Sequence, residues 1–100
     1  RALRELQSAP DNDMENAFDQ FFKSALLAEY FRSQLGGQST RQYRDTVELW
    51  MQAGEAISKQ NSAWFRMPSQ IVQHAEIAYQ PGSRRHADVI ARVNAINSGN

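Results

Sequence analysis

Asp11 to Leu35 reads DNDMENAFDQFFKSALLAEYFRSQL and runs directly into Gly36-Gly37. Stepped at about 100° per residue, Met14, Ala17, Phe18, Phe21, Phe22 and Ala25 gather on one side, as the core stripe of a helix does. Asp11, Asn12 and Asp13 are good N-cap residues, and Glu15 places negative charge where the dipole of a starting helix favours it. Gly36-Gly37 supplies the left-handed backbone that commonly ends a helix. The spacing predicts a helix over 13–35. On the same wheel, however, Leu26, Leu27, Tyr30 and Phe31 fall on roughly the opposite side, where polar residues belong. A helix apolar all round is ordinarily buried on both sides, so a central, buried helix is the first expectation. A kink near Ser24 and an interface with another chain are the alternatives.

The segments on either side agree with an all-α reading. Ser39 or Thr40 caps a helix over 40–60, and Ser39 with Gln42 fits a capping box. Within it Tyr43, Trp50, Ile57 and Trp64 recur every seven residues, with Val47 and Gly54 four places after the first two, which keeps one seam facing a neighbour. Three heptads are too few for a coiled coil, and an ordinary bundle face is expected. Ala53-Gly54 lets another backbone approach closely there. Pro68 suits the first turn of a helix over 68–80, where Ile71, Val72, Ala75, Ala78 and Tyr79 form the stripe and Pro81-Gly82 the stop. Ser83 caps a last helix over 84–97 with Val89, Ile90, Val93 and Ile96 on its apolar side. Arg84, Asp88 and Arg92, four apart on the other side, are spaced for ion pairs. Residues 1–8, with Ala2, Leu3 and Leu6, form a short leading helix or a frayed end. No run alternates as a half-buried strand does, and a single compact bundle of four main helices follows.

Composition sets the outer limits. One hundred residues suit a single core. An apolar share of 41% is enough to fold one, which excludes disorder over the whole length. Lys plus Arg and Asp plus Glu both number 11, so the net charge is zero, and a chain devoted to nucleic acid or anionic membrane would carry a basic excess. Cysteine is absent, and with it disulfides, thiolate metal sites and thiol nucleophiles. No apolar run approaches the ~20 residues that cross a bilayer. The chain opens at Arg1 without an apolar leader, as expected of a trimmed chain or an excised domain, from which targeting signals can be missing. A soluble domain, with a slight preference for the cytoplasm, is expected.

Motifs for chemistry are missing. His74 and His86 stand on different predicted helices and read as surface or boundary residues, so no metal site is expected. Asp11, Asp13 and Glu15 imitate the start of a calcium loop, but its sixth and twelfth positions are Asn16 and Phe22. There is no Gly-x-Ser-x-Gly elbow, and Gly36-Gly37 lacks the lysine and the preceding strand of a phosphate loop. No catalytic residue, metal ligand or cofactor is assigned, and an enzyme is the least favoured class.

Binding is better supported. Ten aromatic residues exceed what one small helical core requires, and arginine, enriched at interfaces, far outnumbers lysine, present only at Lys23 and Lys59. The expected function is a helical interaction module, self-associating or docking to a protein partner through Leu26, Leu27, Tyr30 and Phe31. The alternative is a DNA-associated domain using Arg41, Arg44, Arg84, Arg85 and Arg92. Against it, the segment 69–80 that would read bases holds Gln70, Gln73 and His74 but no arginine or lysine, where phosphate contacts dominate affinity.

Overall fold

Pro10 opens the first helix, because its fixed φ suits a first helical turn and its missing N–H has no intrahelical partner there. The resulting α1, Pro10–Gln34, starts earlier than the spacing suggests, so Asp11, Asn12 and Asp13 lie within it rather than at its cap. The structure is a computed structural model and describes residues 10–34 and 36–98. The leading helix expected at residues 1–8 lies outside the described residues. Gly36 and Gly37, at φ 78° and 64°, reverse the chain, and the Gly37 N–H donates to the Phe31 carbonyl at 3.0 Å.

Three further helices follow: α2 (Arg41–Asn61), α3 (Gln70–Tyr79) and α4 (Arg84–Asn97). Among the described residues there is no strand, and no helix is long and apolar enough to cross a membrane. The all-α bundle is therefore what the chain forms. Thr40 caps α2, its Oγ1 accepting the Tyr43 N–H at 3.1 Å. Ser39 does not form the expected capping box; its hydroxyl donates to the Ala78 carbonyl and ties the start of α2 to the end of α3. Ser83 caps α4, its Oγ accepting the His86 N–H at 3.1 Å.

The central helix is α2, not α1. Tyr43, Val47, Met51 and Ile57 are fully enclosed, with Trp50 and Ala53 nearly so, and α2 packs on all three other helices. Contacts from Asn61–Met14 through Trp50–Phe21 to Tyr43–Phe31 set α1 antiparallel to α2. Among the described side chains of α1, Phe21, Ser24 and Ala28 are buried. Small inward side chains bring the two helices close, and α1 covers one side of α2 without being enclosed itself.

The heptad series breaks at its last member. Tyr43, Trp50 and Ile57 are buried, but α2 ends at Asn61, so Trp64 lies beyond the helix in a turn closed by its own N–H on the Asn61 carbonyl at 3.1 Å. Phe65 takes the inward place. Gly54 is pressed as expected, but by a side chain and not a backbone: a Cβ there would stand 2.3 Å from Met67 Sδ and 3.5 Å from Phe21 Cε1. Asn97 holds that connection in place, its Oδ1 accepting the Met67 N–H at 2.7 Å and its Nδ2 donating to the Met67 carbonyl at 2.9 Å.

Candidate interaction surface

With Phe21, Ser24 and Ala28 turned toward α2, helical geometry sends Leu26 and Tyr30 the opposite way. Leu26 is 73% exposed, Phe22 59%, Tyr30 50% and Leu27 47%. Of the four residues that the sequence singled out, Leu26, Leu27 and Tyr30 therefore share an open ridge. Phe31 does not join them: it is half-buried and stacks on Tyr43 with ring centroids 5.6 Å apart. Phe22 makes the reverse change, from the expected core stripe to the surface. On the wheel both sit at the border between sides, where spacing cannot say how far a neighbouring helix reaches.

Two residues outside α1 widen the ridge. On the Phe22 flank, Trp64 (61% exposed) stacks on Phe18 with centroids 6.5 Å apart and planes 6° from parallel, and Phe18 in turn stacks on Phe22. On the Leu27 flank, exposed Leu49 of α2 helps to form a groove with a cavity of about 220 Å³, lined by Gln20, Lys23, Ser24, Leu27, Thr46 and Leu49. Sequence spacing missed both. Leu49 stands on the polar side of α2, and the seven-residue period places Trp64 in the seam.

Charges beside the ridge are paired within α1. Lys23 Nζ lies 3.1 Å from Asp19 Oδ2, and Arg32 Nη2 donates to Glu29 Oε2 at 2.5 Å. These pairs are exposed and add little stability. Their consequence is that the ridge is flanked by balanced charge.

The arginines of the DNA-associated reading are placed differently. Arg92 is enclosed by three carboxylates: its Nε and Nη2 donate to Glu55 at 2.8 Å each, Nη1 and Nη2 to Glu48 at 3.1 and 3.2 Å, and Nη1 to Asp88 at 3.1 Å. Those bonds hold its pKa well above the usual guanidinium value. The expected pairing with Asp88 is present, and Glu48 and Glu55 of α2 join it, Glu55 by the shortest bonds. At the N-terminal ends of α2 and α4, Tyr79 links two of the others: its hydroxyl donates to the Arg44 carbonyl at 2.9 Å and its ring lies 4.7 Å under the Arg85 guanidinium. Arg44 Nη1 donates to the Ser39 carbonyl at 3.0 Å, Arg41 Nε lies 3.8 Å from Asp45, and Arg84 is exposed. Arg92 lies two turns away along α4, so the five do not form one surface.

His74 corrects the expectation of a surface or boundary residue: it is 3% exposed. The Tyr43 hydroxyl lies 2.7 Å from its Nδ1, and Glu29 Oε1 3.5 Å from its Nε2. Burial pushes the imidazole pKa down, against the pull of Glu29. Burial likewise pushes the Tyr43 phenol up to about 12. Both groups are neutral at pH 7 and knit α1, α2 and α3 together. The imidazole is closed off from solvent and offers nothing to a substrate. His86, half-buried, accepts the Gly82 N–H at 3.1 Å. Among the described residues no three His, Cys, Asp or Glu side chains converge as metal ligands would.

Compared with known proteins, the chain matches no family model, no curated protein and no solved structure.

Proposed function

We propose that this chain is a helical protein-interaction module that binds through the outward side of α1. One observation carries the reading. Phe22, Leu26 and Tyr30 follow one another at four-residue spacing with Leu27 beside them, all exposed, although the helix already has a separate inward side that meets the needs of the core. Leu49 of α2 and Trp64 beyond its end add exposed apolar surface on the two flanks of α1. Contiguous apolar surface of this kind, rimmed by polar residues, marks an interaction site in a soluble domain. The aromatic residues among the six are also the types that dominate binding hot spots. The DNA-associated reading has no comparable support, because Arg92 is committed to Glu48, Glu55 and Asp88.

The test separates fold from association. Leu26→Glu and Tyr30→Glu should each remain folded, with melting temperatures within about 3 °C of the parent, since exposed substitutions are usually near neutral. A photo-crosslinking residue at position 26 should give a discrete protein adduct that the same residue at position 94 does not. Unfolding of both Glu variants, or identical adducts from the two positions, defeats the proposal.

A further inference from the structure

The partner that this ridge fits is a second copy of the same chain, and we infer that two copies pair antiparallel along α1 about a twofold axis at Leu26. This rests on the interaction reading above and specifies its occupant. Phe22 and Tyr30 lie four residues to either side of Leu26, about 6 Å each way along the helix axis. A twofold axis across the helices at Leu26 therefore sets Leu26 against itself and brings Phe22 level with Tyr30 of the second copy.

The flanking residues fall into register under the same operation. Lys23, on the Leu27 flank, comes level with Glu29 of the second copy on the opposite flank, so no ion pair forms across the axis, and Asp19 comes level with Ser33, a hydroxyl. No like charges come level among these. Both carboxylates are already paired within α1, Asp19 with Lys23 and Glu29 with Arg32, so pairing brings no unbalanced charge to the interface. The net charge of zero adds no long-range repulsion between copies.

The groove gives a further match. Such an axis keeps each flank of α1 facing the same flank of its copy, so the second Tyr30 comes down on the Leu27 side at the level of Phe22. The cavity of about 220 Å³ beside Gln20, Lys23, Ser24 and Leu27 opens on that flank and at that level. An aromatic ring thus meets a recess. Scaling the exposed fractions of Phe22, Leu26, Leu27, Tyr30, Leu49 and Trp64 by the ~150–250 Å² of a large side chain gives roughly 600 Å² per copy. Counted over both copies this comes to about 1,200 Å², the lower end of the range of stable interfaces.

The cysteine-free chain makes the arrangement directly testable. Wild-type protein should sediment at twice the 11.4 kDa chain mass, and Leu26→Asp at the chain mass, still folded and with a melting temperature that no longer depends on concentration. Under mild oxidation, Leu26→Cys alone should form a disulfide dimer. An equal mixture of Phe22→Cys and Tyr30→Cys should give the mixed dimer in about tenfold excess over either self-dimer, because antiparallel pairing holds like positions about 12 Å apart along the axis and a disulfide needs Cα atoms within about 7 Å. Self-dimers of Phe22→Cys in excess would mean parallel pairing and overturn the arrangement. A wild-type monomer at about 0.2 mM would overturn self-pairing; a hetero-protein adduct from position 26 would then leave the interaction reading standing, and no adduct would remove both. If Leu26→Asp unfolds, Tyr30→Lys takes its place in sedimentation, and a dimer that persists in that variant overturns the inference.

Discussion

Arg92→Met removes the group that joins α2 to α4, and its cost follows from the geometry. The guanidinium holds Glu55 by two parallel bonds of 2.8 Å, and reaches Glu48 and Asp88 at 3.1–3.2 Å. Its side chain is 22% exposed against 30% and 40% for Glu48 and Glu55, so the network lies between an open surface pair, worth ~0.2–1 kcal/mol, and a buried one, whose breakage costs ~3–5 kcal/mol. Methionine keeps much of the aliphatic stem but leaves three carboxylates facing one another. At separations of ~7 Å and an effective dielectric of about 40, each pair of carboxylates repels by on the order of 1 kcal/mol; the part-exposed side chains swing apart, which leaves about that much in all. Losing the charge-assisted bonds adds ~1–2 kcal/mol. The expected total is about 2–3 kcal/mol, or a fall in Tm of roughly 10–20 °C for a domain of this size. Urea unfolding followed by circular dichroism measures it. Arg92→Lys should retain about half, because an ammonium cannot hold two carboxylates in a fork. Adding Glu48→Gln and Glu55→Gln to Arg92→Met should restore ~1 kcal/mol by removing the repulsion. A loss below about 0.5 kcal/mol would show that solvent screens the network, and a full loss that the glutamines do not relieve would place it in packing of the stem. Either result refutes the reasoning.

Two further outcomes follow from the interior. The neutral imidazole of His74 is favoured by burial, so in an NMR titration its midpoint should fall below the ~6.5 of a free imidazole; a midpoint above that would mean that Glu29 outweighs desolvation. Because the unfolded chain takes up this proton at higher pH, the stability it confers is complete above about pH 6.5 and lost as pH falls toward the folded pKa, at about 1.4 kcal/mol per unit of depression. Gly54→Ala should destabilise by ~1 kcal/mol in urea unfolding, as crowding of Met67 (a cost of ~1–3) exceeds the helix-propensity gain of up to ~1. Combined with Met67→Ala the two should cost less than their sum, whereas a stabilised Gly54→Ala would show that the thioether simply swings aside.

What could be read from the sequence is what depends on near neighbours. Thr40 and Ser83 cap their helices, Gly36-Gly37 ends α1, and the stripes of α2 and α4 face inward, because each feature is decided within a few residues. Asp88 was legible as a partner of Arg92 at four residues' distance. Glu48 and Glu55 were not, since only the packing of α2 on α4 brings them there. The same limit applies to His74, whose partners Tyr43 and Glu29 come from other helices. Trp64 fails for a different reason: the seven-residue period continues in the letters after the helix has ended at Asn61.

On α1 the wheel correctly separated two apolar sides but could not say which one the rest of the chain would cover. Small residues decide it. Ser24 and Ala28 allow close approach to α2, and Ser24 meets its polar need internally by donating to the Gln20 carbonyl at 2.6 Å. Packing α2 against that side leaves Leu26 and Tyr30 facing outward, and among the described residues no other helix is placed to cover them. At 73% and 50% exposure these two side chains bury too little apolar area to account for much folding energy, so their chemistry is not explained by the core. An apolar ridge with paired charges on its flanks and a recess at the level of its own opposite end is suited to a surface that repeats it in reverse, and Leu26, where that repeat would meet itself, is the residue at which fold and association can be separated by a single substitution.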